Sequence, residues 1–509
     1  MTRAVLAIVI LALALGVWVR TNGAERRWVW RDEATTLLHV MGRAEPQLDV
    51  PPARTFGDLA ADLRAPAPGG IGAVVDALAR EDSQHPPVYY AAQRLWYDAG
   101  GGALGRRSLS IAFGMLGVVA VGWFAFVLVG ARAGAFALAF AAVSPFLVLY
   151  GQQLREYGLW CALIACSSGM LVVATRRGTL ASWAGYALAS AVALWTCPLS
   201  VLLAPAHVAF AAYAGGRRRA LQALIAYAAA VASFAPWLAI VVAHRKQILE
   251  SNAWSATPYA LPALAAKVLF TAGSAFTDLG YASRWGIVAG GIVLLAIAVA
   301  ALVVARRDRP AAVLLGLIAV TTALLPFLAD LALGEHRTAS SRYLCPLVVA
   351  IIVCMATALA RWPRPYALGA AVALVALGAF SSLAGTSSPV WWDNHGDASV
   401  IAIAAALARD PNVPVVADGT CAGLLTLARI APPGEPVRCG PGATKRLEPG
   451  WYVVSPTPAL AARARSSGLD LASVAGGADD AASVRAFRRN ASLAEDAPTL
   501  DKLESIPHR

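Results

Sequence analysis

Charge is what this chain has little of. Only 14% of its 509 residues are Asp, Glu, Lys or Arg, against roughly 25% in soluble globular domains, while 58% are hydrophobic and mean hydropathy is +0.60. That excludes an ordinary soluble protein. The net charge of +12 does not point to nucleic acid, which would need a basic face on a soluble module. The seven cysteines show no metal-type spacing, which excludes a cysteine-built metal site. No small-x-small cleavage site precedes Asp32, so residues 1–23, which open on Arg3 before an apolar stretch, read as an uncleaved anchor rather than a signal peptide.

What the chain has instead is length of apolar run. A hydrocarbon core of about 30 Å takes roughly 20 residues of helix, and eleven such runs are legible, at 4–19, 109–129, 134–150, 158–175, 179–197, 199–214, 220–243, 286–305, 311–332, 344–360 and 366–384. Short cytoplasmic loops collect Lys and Arg. With the N-terminus inside, every second loop carries them: Arg132, Arg176-Arg177, Arg217 to Arg219, Arg306, Arg307 and Arg309, and Arg361 with Arg364. The pattern requires that 262–283 does not cross. The expected architecture is a multi-pass, all-helical membrane bundle over 1–388, N-terminus cytoplasmic, followed outside the membrane by a small α/β domain at 389–489 and a disordered tail at 490–509.

The first external loop, residues 20–108, is far longer than a packing connection and reads as functional. It opens with the adjacent acids Asp32 and Glu33. Two stripes at helical spacing come after them, Phe56, Leu59, Ala60 and Leu63, then Ile71, Val74, Val75 and Leu78, expected to lie in the membrane interface. His85-Pro86-Pro87 comes next, with the prolines fixing the backbone behind the histidine, then Tyr89 and Tyr90. On the same side stand Gln152, Gln153, Arg155 and Glu156 after the third span, Arg245 and Lys246 after the seventh, and Arg337, Arg342 and Tyr343 before the tenth. Arginines on that side run against the positive-inside trend and so suggest a ligand or an acidic partner.

Taken in order, Arg31-Asp-Glu-Ala34, His85-Pro-Pro-Val-Tyr-Tyr90, Tyr150-Gly-Gln-Gln-Leu-Arg-Glu-Tyr157, Phe234-Ala-Pro-Trp237 and Ser341-Arg-Tyr-Leu-Cys-Pro346 resemble the GT-C superfamily of polyprenyl-phosphate-dependent glycosyltransferases. The family 39 type, with protein mannosyltransferases and the lipid A aminoarabinose transferase, is the nearest likeness, over residues 1 to 385. The resemblance implies an integral membrane enzyme of the cell membrane that moves a sugar from a polyprenyl-phosphate donor to an external lipid, cell-wall glycan or protein acceptor. It implies Asp32 or Glu33 as catalytic acid or base. Arg155, Arg245, Lys246, Arg337 and Arg342 are the cations available to the departing phosphate. His85, Tyr89, Gln152, Glu156 and Tyr343 would shape the acceptor site, with His85 also offering a ligand to a divalent metal. The sequence departs from the family at Gln153, where an acid usually stands, and at Trp195-Thr-Cys-Pro198, where Thr-His-Tyr is common. A non-catalytic carrier or assembly subunit on the same fold therefore stays open. A secondary transporter fits less well, because the spans hold almost no charges mid-membrane.

Beyond the last span, Trp391 and Trp392 are expected interface anchors. Strands are expected at 413–418, 451–455 and 484–487 and helices at 398–408 and 457–467. Cys421 and Cys439 are the only cysteines there, and outside the cytoplasm they are expected to form a disulfide. Asn490-Ala-Ser492 matches a glycosylation sequon.

Overall fold

In a computed structural model of the protein the long apolar runs are helices, the form that satisfies backbone hydrogen bonds within a segment and so tolerates a bilayer. The structure describes residues 3–27, 29–45, 54–278 and 284–387, and parts of 404–489. The chain divides into two units, one of Met1–Trp28, His39–Arg43 and Pro66–Asp393, the other of Val29–Leu38, Ala44–Ala65 and Asn394–Arg509.

The first unit begins with α1 (Arg3–Thr21). Helix α2 (Arg31–Val40) is divided, its first eight residues grouping with the second unit, and α3 (Phe56–Asp62) belongs to the second unit entirely. The chain returns through α4 (Gly70–Glu81) and α5 (Val88–Asp98). The bundle proper begins with α6 (Ser108–Leu128), α7 (Ala131–Val143), α8 (Pro145–Gln152), α9 (Tyr157–Arg177), α10 (Leu180–Thr196) and α11 (Leu203–Ala243). After α12 (Arg245–Ser251) and α13 (Leu261–Gly273) come α14 (Arg284–Arg307), α15 (Arg309–Ala319), α16 (Leu325–Leu333), α17 (Cys345–Ala360) and α18 (Arg364–Ser387). Helix α6 packs along α9 and α7, α1 along α7, α10 between α9 and α11, and α17 along α7, α14 and α15.

Among the described residues eight helices are long and apolar enough to cross a membrane, nine if α7 and α8 make one bent span. The protein is a multi-pass membrane protein. The difference from eleven has local causes. Helix α10 has 17 residues, and 199–214 and 220–243 fall on the single element α11. Straight, its 41 residues would run about 62 Å, twice a hydrocarbon core. It breaks at Gly215 and Gly216, the latter at φ 67°, ψ −167°, a conformation open essentially to glycine alone. Helix α13, at 13 residues, is too short to cross.

The bend between α7 and α8 is 58° and arises from Pro145. The proline lacks the N–H that the carbonyl of Ala141 would accept from, Phe146 N–H turns to the carbonyl of Ser274 (3.1 Å), and Leu147 N–H to Ser144 Oγ (3.5 Å). Three carbonyls are orphaned in a buried place, and side chains replace the lost donors. Arg20, fully buried, donates to Ala142 O (2.5 Å) and Ala141 O (3.2 Å), and Ser382 Oγ to Val143 O (2.9 Å). Gln152 at the end of α8 returns the bond, its Nε2 donating to Val19 O (2.8 Å) and Arg20 O (3.0 Å). Close approach completes the arrangement: a Cβ on Gly114 of α6 would lie 2.8 Å from Gly151 Cα of α8.

The second unit holds a six-stranded sheet in the order β1-β3-β2-β4-β6-β5. Its strands are β1 (Arg54–Thr55), β2 (Val415–Ala417), β3 (Pro436–Arg438), β4 (Tyr452–Val454), β5 (Leu469–Ala475) and β6 (Val484–Arg489). Strand β2 runs parallel to β3 and β4, and the other pairs are antiparallel. Helix α3, started by a Thr55–Asp58 capping box, packs on the helix Ala422–Leu427. This corrects the interfacial reading of its stripe: Phe56, Leu59, Ala60 and Leu63 are all buried within the protein. In the other stripe Val74 and Leu78 are fully buried, with α4 packed on α5, and Ile71 is 40% exposed. Residues 388–403, with Trp391 and Trp392, and 490–509, with the sequon, lie outside the described residues, as does Cys421; Cys439 is disulfide-bonded.

Candidate functional site

The site grows from the turn between α4 and α5. The backbone N–H of His85 closes on Asp82 O (2.9 Å), and Pro86 and Pro87 stiffen the entry into α5. Three side chains from elsewhere clamp this turn: Trp237 Nε1 donates to Ser83 O (2.9 Å), Gln247 Nε2 to Glu81 O (3.0 Å) and Asn252 Nδ2 to Gln84 Oε1 (2.8 Å). Thus the Phe234-Ala-Pro-Trp237 motif has a mechanical role, with its indole holding the loop that carries His85.

His85 uses both ring nitrogens. Nδ1 lies 2.8 Å from Asp82 Oδ1, and Nε2 lies 2.7 Å from Arg155 Nη2 and 3.6 Å from Glu156 Oε1. A guanidinium only donates, so Nε2 accepts and the ring hydrogen sits on Nδ1, facing Asp82. Burial alone would raise the Asp82 pKa. The His85 ring against it, with His39 and Arg155 further off, holds it well below the usual carboxylate range. Arg155 is also 3.4 Å from Tyr90 OH and from Glu156 Oε2, its guanidinium 5.7 Å from the ring centre of Tyr157. Arg155 and Glu156 are 4% and 2% exposed.

His85 and Glu156 line a cavity of about 430 Å³, within the range of small-molecule sites. One wall is α11, through Phe234, Leu238 and Val241; another is a single stripe of the facing helix, Thr322, Pro326, Ala329, Asp330 and Leu333. That stripe starts in a π-helical turn, Val320–Leu324, a feature frequent at functional sites. Helix α11 packs on α15 and on the π turn. The polar end adds Gln84, Asn252, Glu335, Arg337 and Tyr343. Arg337 pairs with Glu335 (2.7 Å), and Asp330 Oδ2 accepts from Thr338 N–H (2.7 Å). The result is an apolar slot whose polar end carries one arginine, Arg337, and three carboxylates, Glu156, Asp330 and Glu335.

The sequence-derived residues divide. His85, Glu156, Arg337 and Tyr343 line the cavity, and Arg155 stands between the first two. Arg342 lies over Tyr343 and Trp254, at 5.4 and 5.8 Å. Asp32 and Glu33 occupy the first turn of α2, within the second unit, with Glu33 buried. Arg245 and Lys246 are on the exposed side of α12, Lys246 91% exposed, while Ile248 and Asn252 face the cavity. Tyr89 is fully buried against Ser110 Oγ (2.8 Å) and Gln93 Nε2 (2.9 Å), and Gln152 Nε2 is bonded to α1; neither lines the cavity. Asp82 was missed, although an acid three residues before the histidine was there to be read.

A divalent ion at His85 does not fit these residues. A metal would need a nitrogen lone pair at about 2.0–2.1 Å, and the one on Nε2 is taken by Arg155. Among the described residues no group of three His, Cys, Asp or Glu has metal-binding geometry.

No family model matches the chain, and no curated protein matches it. Solved structures do. ArnT from Cupriavidus metallidurans in the apo state is similar at a TM-score of 0.57 and 16% identity, over 94% of this chain and 97% of that one. Its form bound to undecaprenyl phosphate gives 0.55 and 18%, over 96% and 99%. The fold is that of these two structures. The Archaeoglobus fulgidus oligosaccharyltransferase, in complex with zinc and sulfate, is similar at 0.50 and 12%, over 88% of this chain and 67% of that one. At these identities the likeness is one of fold.

Proposed function

We propose that this GT-C-type protein is a glycosyltransferase that moves a hexosyl or pentosyl group from a polyprenyl-phosphate donor to an acceptor outside the cytoplasm. The observation that carries the reading is the slot of about 430 Å³, apolar between α11 and the Thr322–Leu333 stripe and ending at His85, Glu156 and Arg337. An apolar slot with an arginine at its polar end can seat a lipid whose head is an anion. ArnT, which shares the fold, was solved with undecaprenyl phosphate bound.

In this reading the donor's first isoprene units lie along α11 and α16, and its phosphate meets Arg337, with Arg342 and Tyr343 behind. Asp32 takes the acceptor's hydroxyl proton, with Glu33 the rival for that role. The acceptor oxygen bonds to the anomeric carbon as the carbon–phosphate oxygen bond breaks, giving an inverted product and a polyprenyl phosphate whose new charge the arginines stabilise. Eleven spans with a cytoplasmic N-terminus accompany the reading, the two arms of α11 counting separately and α10 crossing at 17 residues. The acceptor is a lipid, a cell-wall glycan or a protein.

The test is photolabelling of the protein in lipid nanodiscs with a diazirine-bearing polyprenyl phosphate. Labelled peptides should map to 234–241 and 322–333, and Arg337→Glu should suppress them; labelling spread over all lipid-facing helices, indifferent to Arg337, would sink the proposal. A carrier without chemistry on the same fold is favoured by Gln153, an amide buried with neither polar atom hydrogen-bonded. A protein that binds donor but never turns it over would support that alternative.

A further inference from the structure

We infer that the seam between the two arms of α11 is a binding site for one anionic glycerophospholipid of the bilayer, with an acyl chain in the seam and the phosphate on Arg217 and Arg218. The site is separate from the slot at His85 and does not depend on the donor reading above.

The seam is a groove of about 440 Å³. Val201, in the 3-10 turn Pro198–Leu202 that leads into α11, lines one side with Ala204 and Val208 of the first arm; Leu224, Ala228 and Val231 of the second arm line the other. Its one polar lining residue, Tyr227, is buried and donates its hydroxyl to Ser200 O (2.6 Å). The groove therefore offers little to hold water, which needs several polar partners, and suits hydrocarbon. Val201 and Leu224 are 47% and 52% exposed, so the groove is open along one side, and on a membrane span an open apolar side meets lipid chains.

Charge selects the lipid. Arg217, Leu224 and Val231 recur every seven residues, which on a helix is one face, so Arg217 heads the face of the second arm that lines the groove. It stands about 10 Å along the helix from Leu224, beyond the apolar end and next to the break at Gly215-Gly216. Arg217 and Arg218 are exposed, and among the described residues neither enters a hydrogen bond or ion pair, whereas Arg219 is held by Gln222 Oε1 (2.8 Å). The Arg219 guanidinium lies against Gly178, which brings the turn after α9, with Arg177 exposed, beside this one. Little cancels the charge: no Asp or Glu stands between Glu156 and Glu250, and Asp308, the one acid of the arginine-bearing loops, is paired with Arg361. Basic pockets between membrane helices take anionic head groups, and a guanidinium with its donors free can meet a phosphate with two of them at once. The other arginine loops satisfy the positive-inside trend alone; at α11 a seat for the chain and a seat for the head lie on one helical face.

The experiment is native mass spectrometry of the full-length protein in a neutral detergent, titrated with dioleoyl phosphatidylglycerol or dioleoyl phosphatidylcholine, which share their chains and differ in the charge of the head. The first phosphatidylglycerol should bind about tenfold or more tighter than the first phosphatidylcholine. Arg217→Gln combined with Arg218→Gln should weaken that first phosphatidylglycerol about 10–30-fold, the worth of two arginines at a membrane surface, and leave phosphatidylcholine unchanged. Both side chains are exposed and unpartnered, so the double variant should melt with the wild type and its lost affinity reads as loss of the head seat. Arg306→Gln combined with Arg364→Gln, on arginine loops that α11 does not form, should change either lipid by less than about twofold. Ala228→Trp fills the groove from an exposed position and should weaken both lipids with the arginines intact. Equal affinity for the two lipids, equal losses in the two arginine pairs, or no effect of Ala228→Trp would each overturn the site. Displacement of the bound phosphatidylglycerol by polyprenyl phosphate at equal concentration would overturn it too, by assigning the groove to an isoprenoid chain.

Discussion

Replacing Arg20 by methionine keeps most of the side-chain volume and removes the donors that close the end of α7. The carbonyls of Ala141 and Ala142, 3.2 and 2.5 Å from the guanidinium, would stay buried with no replacement: residue 145 is proline and Phe146 N–H is already bonded to Ser274. Each buried, unsatisfied polar group costs about 1–3 kcal/mol, so the two together cost roughly 2–6. Relief of the guanidinium's own desolvation offsets part of this, which leaves an expected loss of about 2–4 kcal/mol. At about 2 °C per kcal/mol, the lower end for large domains, the unfolding midpoint in nanodiscs should fall by about 4–8 °C. Arg20→Lys, able to reach one carbonyl, should recover about half of the loss. Donor binding should weaken in parallel, because α8 leads directly into Arg155 and Glu156. A methionine variant that melts within about 1 °C of wild type would show that the break at Pro145 needs no such cap.

The same geometry sets other outcomes. Gly114→Ala puts a methyl 2.8 Å from Gly151 Cα and should cost about 1–3 kcal/mol, whereas Gly290→Ala, with nothing within 4 Å, should leave the thermal midpoint unchanged. Arg337→Ala should weaken donor binding about tenfold, the worth of one charge-assisted hydrogen bond, while Arg245→Ala and Lys246→Ala, on an exposed face, should change it less than about twofold; equilibrium binding of labelled polyprenyl phosphate distinguishes the two. The Asp82 carboxyl is held below its unfolded value of about 3.9, so its stabilising effect is complete above that pH and is lost as pH falls through the lower folded value. Melting curves of wild type and Asp82→Asn should therefore differ by a constant amount from pH 5 to 8 and converge only in strong acid.

Much of the bundle was legible because a run of some 20 apolar residues admits one structure in a bilayer. The spans read at 109–129, 158–175, 344–360 and 366–384 fall on α6, α9, α17 and α18. What hydropathy could not show was how a run breaks, because the bend at Pro145 and the twist at Gly215-Gly216 depend on who accepts the freed hydrogen bonds. The interfacial helix at Phe56 was misplaced for a related reason: an amphipathic stripe says that one face is covered and not by what, and here Ala422–Leu427 covers it. At the site, His85, Glu156, Arg337 and Tyr343 were singled out as polar residues on one face beside apolar runs, and all four line the cavity. It also drew in Tyr89, whose hydroxyl is bonded to Ser110 and Gln93, and Gln152, whose Nε2 is bonded to α1; neither lines the cavity. Asp82 escaped attention because its importance lies in the 2.8 Å contact to a ring nitrogen, which sequence spacing does not reveal.

The measurement that tests the central claim most directly is release of polyprenyl phosphate from radiolabelled lipid-linked sugars by the wild-type protein in nanodiscs, run beside Asp32→Asn and Arg337→Glu. The account predicts turnover of at least one donor by the wild type, loss of turnover with donor binding retained in Asp32→Asn, and loss of donor binding in Arg337→Glu. Donor that binds the wild type yet is never cleaved, with a range of acceptors supplied, would contradict it and leave a carrier.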